Sequence, residues 1–97
     1  MKTILKGCVM EFEYDPNKSA GNLAKHGVDF ETAQRLWEDP DLLEIRLDYP
    51  TEERWISIGI MGGKHWSAIW TPRNGRTRII SVRRSRTKEV EAYERQD

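Results

Sequence analysis

The chemistry this chain could carry is concentrated in its cationic and acid–base side chains. Arg83 and Arg84 close an apolar, β-branched run, Arg78-Ile79-Ile80-Ser81-Val82-Arg83-Arg84. A guanidinium there can grip phosphate oxygens with two parallel donors, a geometry lysine cannot copy. Arg54 opens a second apolar run and can approach the same region. Lys64, Arg76, Arg78, Arg86 and Lys88 extend the positive charge, so that Lys64 to Lys88 holds eight Lys or Arg and no Asp or Glu. Asp29 to Glu53 reverses the balance, with nine acids against two arginines. The chain carries 16 residues of each sign, and its neutrality hides a polarised molecule. A phosphate-rich partner would select such a stretch, because Lys and Arg release condensed counterions when they neutralise phosphates. A solvated charged face fits the composition equally well.

Proton carriers are few. Glu89 and Tyr93 stand one helical turn apart and share a face, Glu89 as a base and Tyr93 as a stacking or proton-donating group. Tyr93 could equally seat the chain's tail on a sheet, and Arg84 could pair with Glu89 or cap the last helix. Lys25 and His26 sit at a helix end, where the dipole favours a cationic imidazole; a plain C-terminal cap is the simpler account. His65 lies beside a Gly-Gly turn and reads as incidental. Trp66 and Trp70 offer flat surfaces on which nucleobases can stack, although Trp55 and Trp70 could simply pair across strands. No His, Cys and carboxylate spacing matches a metal site, so neither metal nor cofactor is expected.

These groups need a scaffold, and 97 residues fit one domain with a modest core. Apolar content of 37% against 33% charged is on the polar side for a globular protein, but the aliphatic and Trp residues are clustered, which argues against disorder away from the ends. Cys8 is the only cysteine, which excludes an internal disulfide and suits a reducing cytoplasm. No apolar run approaches a membrane span. Residues 1–9 are too short and lysine-interrupted for a secretory signal and read as an extension, leaving 10–97 as a single domain.

The first strand is expected over Val9–Tyr14, where apolar and acidic residues alternate. Asp15-Pro16 supplies an N-cap and first helical residue, and Gly27 a stop. Ala20, Leu23 and Ala24 fall on helical spacing as the inward positions. A second helix follows Asp29, with Phe30, Ala33, Leu36 and Trp37 as its stripe, and ends at Asp39-Pro40. Leu42–Leu47 reads as a strand. Gly62-Gly63 and Asn74-Gly75 mark two hairpins joining strands 54–61, 64–71 and 77–83. Thr87 caps a last helix. The fold class is α+β: a small twisted antiparallel sheet in the order β-α-α-β-β-β-β-α, with the two N-terminal helices packed on one face. Regular pairing puts Ile56, Ile58, Ile60, Ile69, Ile80 and Val82 on one side and Trp55, Trp66, Trp70, Ile79, Ser81 and Arg83 on the other. The aliphatic side suits the helices, leaving the aromatic and basic side open.

Three separated motifs then resemble one family. Phe12-Glu13-Tyr14-Asp15-Pro16-Asn17-Lys18-Ser19 with Asn22-Leu23-Ala24-Lys25-His26-Gly27-Val28-Asp29-Phe30 and Ala33 resembles the opening of the BrnT family. Glu53-Arg54-Trp55-Ile56-Ser57-Ile58-Gly59 is similar to its central strand. Arg78-Ile79-Ile80-Ser81-Val82-Arg83-Arg84, followed by Glu89 and Tyr93, is similar to its close. The resemblance covers about Met10 to Glu94. Thr32 stands where a glutamate is common, and Trp66 and Trp70 occupy a strand usually filled by smaller or other aromatic groups.

The resemblance implies a toxin of a bacterial type II toxin–antitoxin pair with a RelE-like fold. Such a protein would be a ribonuclease that inhibits translation. A BrnA-like ribbon-helix-helix antitoxin would neutralise it in a hetero-oligomer and bind operator DNA itself. Metal-free RNA cleavage asks for a base at the 2′-hydroxyl, a cation at the phosphate and an acid at the leaving 5′-oxygen. Arg83, Arg84, Arg54, Glu89, Tyr93, Lys25 and His26 are the catalytic candidates. Lys64, Trp66, Trp70, Arg76, Arg78, Arg86 and Lys88 are the RNA-binding ones. A non-enzymatic nucleic-acid-binding module, or a protein-interaction module whose basic face takes an acidic peptide, would use the same surface.

Overall fold

The computed structural model describes residues 10–96; the expected extension over 1–9 lies outside them. Helix α1 (Pro16–His26) starts where Asp15 accepts the Asn17 N–H at 2.9 Å, and stops at Gly27, whose φ of 82° is left-handed. Helix α2 (Phe30–Ala33) is capped by Asp29, which accepts the Thr32 N–H, and runs into a 3₁₀ turn, Gln34–Glu38. Strands β2 (Leu43–Leu47), β3 (Arg54–Met61), β4 (Lys64–Arg73) and β5 (Arg76–Arg84) form an antiparallel meander. Helix α3 (Thr87–Arg95) closes the chain, with Arg86 rather than Thr87 at the N-cap.

The sheet is mixed, not wholly antiparallel. Strand β1 (Phe12–Glu13) is only two residues long and pairs parallel to β5, giving the order β1-β5-β4-β3-β2. Its brevity leaves the β5 edge unpaired beyond Arg78, and a side chain completes the pairing. Asn22 of α1 accepts the Val82 N–H at 3.2 Å and donates to the Val82 carbonyl at 2.9 Å and the Val28 carbonyl at 2.8 Å. Ser19 accepts the Phe30 N–H at 2.8 Å. Helix α1 therefore buries Ser19 and Asn22, while Leu23 is half exposed and Ala20 and Ala24 face solvent. The apolar spacing of Ala20, Leu23 and Ala24 marked the outer side. Buried backbone polar groups must be paired, and that demand outranks burying one leucine and two alanines.

The expected faces are also exchanged. Trp70 pairs with Ile79, but Ile69 pairs with Ser81, so Ile80 is an extra residue, a β-bulge. One skipped alternation sends Val82 to the side of Ile79 and Arg83 to the side of Ile56, Ile58 and Ile69. The helix layer covers the aromatic side, where Phe30, Ala33, Leu36 and Trp37 pack on Ala68, Ile79 and Val82 with Phe12, Trp66 and Trp70 around them. Gly59 makes room: a Cβ there would lie 2.9 Å from Leu42 Cδ1. Aromatic side chains each bury large areas, so this layer forms the larger core. The aliphatic side receives α3, whose Tyr93 packs with Ile56 and Ile58, flanked by Leu43, Leu47 and Ile69.

Candidate phosphate site on the aliphatic face

The bulge brings Arg83 opposite Ser67 of β4, and α3 folds back above them. Arg83 meets Glu89 end-on, with Nη1 donating to Oε1 at 2.8 Å and Nη2 to Oε2 at 2.9 Å. Each side chain of the pair is 19% exposed. Ser67 Oγ donates to Glu89 at 2.9 Å, and the Arg86 N–H donates to it at 2.8 Å, so the carboxylate also caps α3. Arg83, aided by these donors, holds the Glu89 carboxyl down from 4.5 to about 2 despite burial. Glu89 is thus an anion whose Oε1 accepts three hydrogen bonds and whose Oε2 accepts one, a poor proton acceptor and a firm anchor. Nη1 of Arg83 also donates to the Arg84 carbonyl at 3.3 Å, whereas Nε has no hydrogen-bond partner among the described residues and, with the second hydrogen of Nη2, can take phosphate oxygens side-on.

Beside this pair stands His65, two residues before Ser67 on the same side of β4. Its Nε2 lies 2.7 Å from Glu94 Oε2, and its ring meets Tyr93 edge-on at 5.3 Å between centroids. The Ser85 N–H donates to the His65 carbonyl at 3.0 Å, fixing this end of β4 to the turn after β5. Tyr93 donates its hydroxyl to Asp39 at 2.7 Å. Burial, then the bond to Asp39, raises the phenol's pKa. For Asp39 burial pushes upward, but donors from Tyr93 and the Ile60 N–H win and hold its carboxyl low. Tyr93 seats α3 on the sheet through this bond.

The other expected site residues are spread over the surface. Arg84 points to the opposite side of the sheet, its guanidinium 5.7 Å from the Trp66 ring. Trp66 and Trp70 are partly buried against the helix-side core, their indoles donating to the Met61 carbonyl and to Ser57 Oγ. Trp55 stacks on Trp70 with centroids 5.9 Å apart and rings inclined by 14°. Arg54 pairs with Glu52 at 2.7 Å and lies over the Tyr49 ring at 3.9 Å. It stands four positions along β3 from Ile58, about 13 Å from the Arg83 level. Arg76 and Arg78 are partly neutralised by Glu11 and Glu13, each pair at 3.1 Å. Lys64, Arg84, Arg86 and Lys88 have no carboxylate partner among the described residues. Lys25 and His26 close α1, and none of their side chains bonds to Arg83 or Glu89 among the described residues.

Sequence reasoning passed over His65 and Glu94. The available signal was the hairpin register, which places His65 two residues from Ser67 on one side of β4. No group of three or more His, Cys, Asp or Glu suited to holding a metal occurs among the described residues. No helix there is long and apolar enough to cross a membrane.

Fold and site together define a small α+β domain whose mixed sheet carries an arginine anchored by a carboxylate. The family model described as the ribonuclease toxin BrnT of type II toxin–antitoxin systems matches residues 14–89, and the chain belongs to that family. It is thereby a ribonuclease toxin with an antitoxin partner and an RNA substrate. Comparison with curated proteins finds no match.

Proposed function

We propose that the protein cleaves single-stranded RNA without a metal ion, through attack of a ribose 2′-hydroxyl on the neighbouring phosphate, and that it inhibits translation in the cytoplasm. The observation that carries this reading is the bidentate Arg83–Glu89 pair, which leaves Nε of Arg83 without a hydrogen-bond partner among the described residues. Glu89 fixes Arg83 before substrate arrives, so no reorganisation is needed when charge builds on the pentavalent phosphate. The pair is neutral as a unit, and longer-range attraction falls to Arg84, Arg86 and Lys88.

Proton transfer is assigned to His65, with Glu94 orienting the ring. Arg83 and His65 lie on one side of the sheet, as a base at the 2′-hydroxyl and a cation at the phosphate require. Leaving-group protonation by the resulting imidazolium, or by water, completes the exchange. The fold is read as RelE-like by analogy of architecture. The antitoxin is read as BrnA-like, a ribbon-helix-helix protein that covers the basic surface in a hetero-oligomer and carries the operator DNA contact.

An RNA oligomer incubated with the protein in excess chelator tests this. The expected products end in 2′,3′-cyclic phosphate and 5′-hydroxyl, and an oligomer with a 2′-deoxy sugar at the cleaved position stays intact. RNA that survives in chelator and is cut only when Mg²⁺ is added contradicts the metal-free mechanism.

A further inference from the structure

A groove of about 340 Å³ opens along the same sheet, at the far end of β5 from Arg83. Four cations from four elements line it: Lys18 of α1, Arg54 of β3, Arg73 of β4 and Arg78 of β5, with Thr71 and Ile80 between them. The bulge at Ile80 and the seating of α1 on the β5 edge through Asn22 together bring Lys18 to this place. Three carboxylates accompany the cations. Glu52 and Glu53 line the groove, and Glu13 touches Arg78 at 3.1 Å and Arg73 at 3.8 Å. The carboxylates leave much of the donor capacity unused. Arg54 turns Nε to Glu52 and Arg78 turns Nη1 to Glu13, so both terminal nitrogens of Arg54 and the Nε and Nη2 of Arg78 are unspent on them. Arg73 is 58% exposed, and Lys18 has no carboxylate partner among the described residues.

We propose that this groove is a second phosphate subsite, taking a phosphate of the same RNA strand whose scissile phosphate lies at Arg83. The proposal rests on the Arg83 reading for the identity of the first site. The β4 partners of Arg78 and Arg83, Thr71 and Ser67, are four positions apart, so with the bulge at Ile80 the two arginines stand about 13 Å apart along the sheet at the rise of extended backbone. That exceeds the spacing of neighbouring phosphates in a single strand, so the two sites hold different phosphates of one molecule. A strand laid along β5 passes Ser81 and Ile80 on the way. Three of the four cations are guanidiniums, which favours phosphate oxygens over a diffuse acidic surface. The consequence is a length requirement: an RNA too short to span both sites forgoes the contribution of the groove.

The test uses two 2′-O-methyl oligouridines, a dinucleotide and an octanucleotide, binding to the full chain and to the Lys18→Glu/Arg73→Glu double variant. Both residues are exposed, and an unchanged unfolding midpoint shows that the fold is kept. The octanucleotide should bind the parental chain at least tenfold more tightly than the dinucleotide. The double variant should erase that advantage and lower the slope of log affinity against log salt by about 0.7, the amount expected when one phosphate is no longer neutralised. Equal octanucleotide affinity and slope in the two proteins would overturn the proposal. So would a variant that keeps octanucleotide affinity but no longer binds the antitoxin, because the groove would then serve the protein partner. Failure of the Arg83 reading would show separately, in the cleavage rate of RNA carrying free 2′-hydroxyls.

Discussion

Replacing Glu89 by glutamine should destabilise the protein in a way that depends on pH. The carboxyl is held from 4.5 down to about 2, with its side chain and that of Arg83 each 19% exposed. A shift of that size corresponds to about 3–4 kcal/mol at ~1.4 kcal/mol per unit, and residual solvent screening brings the expected value to about 2–3 kcal/mol. The folded-state pKa is depressed, so the contribution is complete above the unfolded value near 4.5 and is lost as pH falls toward 2. Urea unfolding of the parental chain and Glu89→Gln should therefore differ by about 2–3 kcal/mol at neutral pH, with more than half of the difference gone by about pH 3. The variant also leaves the Arg83 guanidinium without its anion, which adds to the loss at neutral pH. A difference that stays constant from neutral pH to pH 3 would refute the ion pair as its source. A difference below about 0.5 kcal/mol would place the pair among surface contacts of little consequence.

Three further outcomes are expected. Asn22→Ala should cost about 2–3 kcal/mol in chemical unfolding, because it strands the Val28 carbonyl and both polar groups of Val82 at the β5 edge; a loss under about 1 kcal/mol would contradict the clamp. His65→Gln should lower the single-turnover rate of RNA cleavage by about 10²-fold or more and keep RNA affinity, whereas an unchanged rate would take His65 out of proton transfer. Expression of the chain alone should arrest growth of a bacterial host, and co-expression of a ribbon-helix-helix partner should restore it; normal growth with abundant folded protein would contradict the translational role.

The local signals in the sequence were strong and carried most of the element boundaries. Asp15-Pro16, Gly27, Asp29, Gly62-Gly63 and Asn74-Gly75 act through nearest-neighbour geometry, and each marks the cap, stop or turn it promised. Facing was harder to read, since it depended on one non-local irregularity. A single extra residue at Ile80 exchanges the sides of Val82 and Arg83, and no turn residue announces it. The parallel pairing of β1 was hidden for a similar reason, because it joins Phe12 to Thr77 across nearly the whole chain. The inward side of α1 was concealed by its chemistry: Asn22 and Ser19 look like solvent-facing residues until the unpaired β5 edge is known. Around the site, Arg83 and Glu89 were recognisable by type, but their union was not. Alternation assigned Arg83 to the side away from the aliphatic residues, and the tail was free to pair Glu89 with Arg84 instead. His65 became visible only when α3 set Tyr93 and Glu94 beside it.

The central claim is that Arg83 acts on the scissile phosphate during reaction, and single-turnover cleavage by Arg83→Ala at saturating protein tests it most directly. A cation that serves mainly the transition state should, when removed, lower the cleavage rate by about 10²–10³ and change RNA affinity little. Unfolding measured in parallel separates the loss of the ion pair from the loss of chemistry, since the fraction folded can be held near one at low temperature. Cleavage at the parental rate by the folded, saturated variant would contradict the claim.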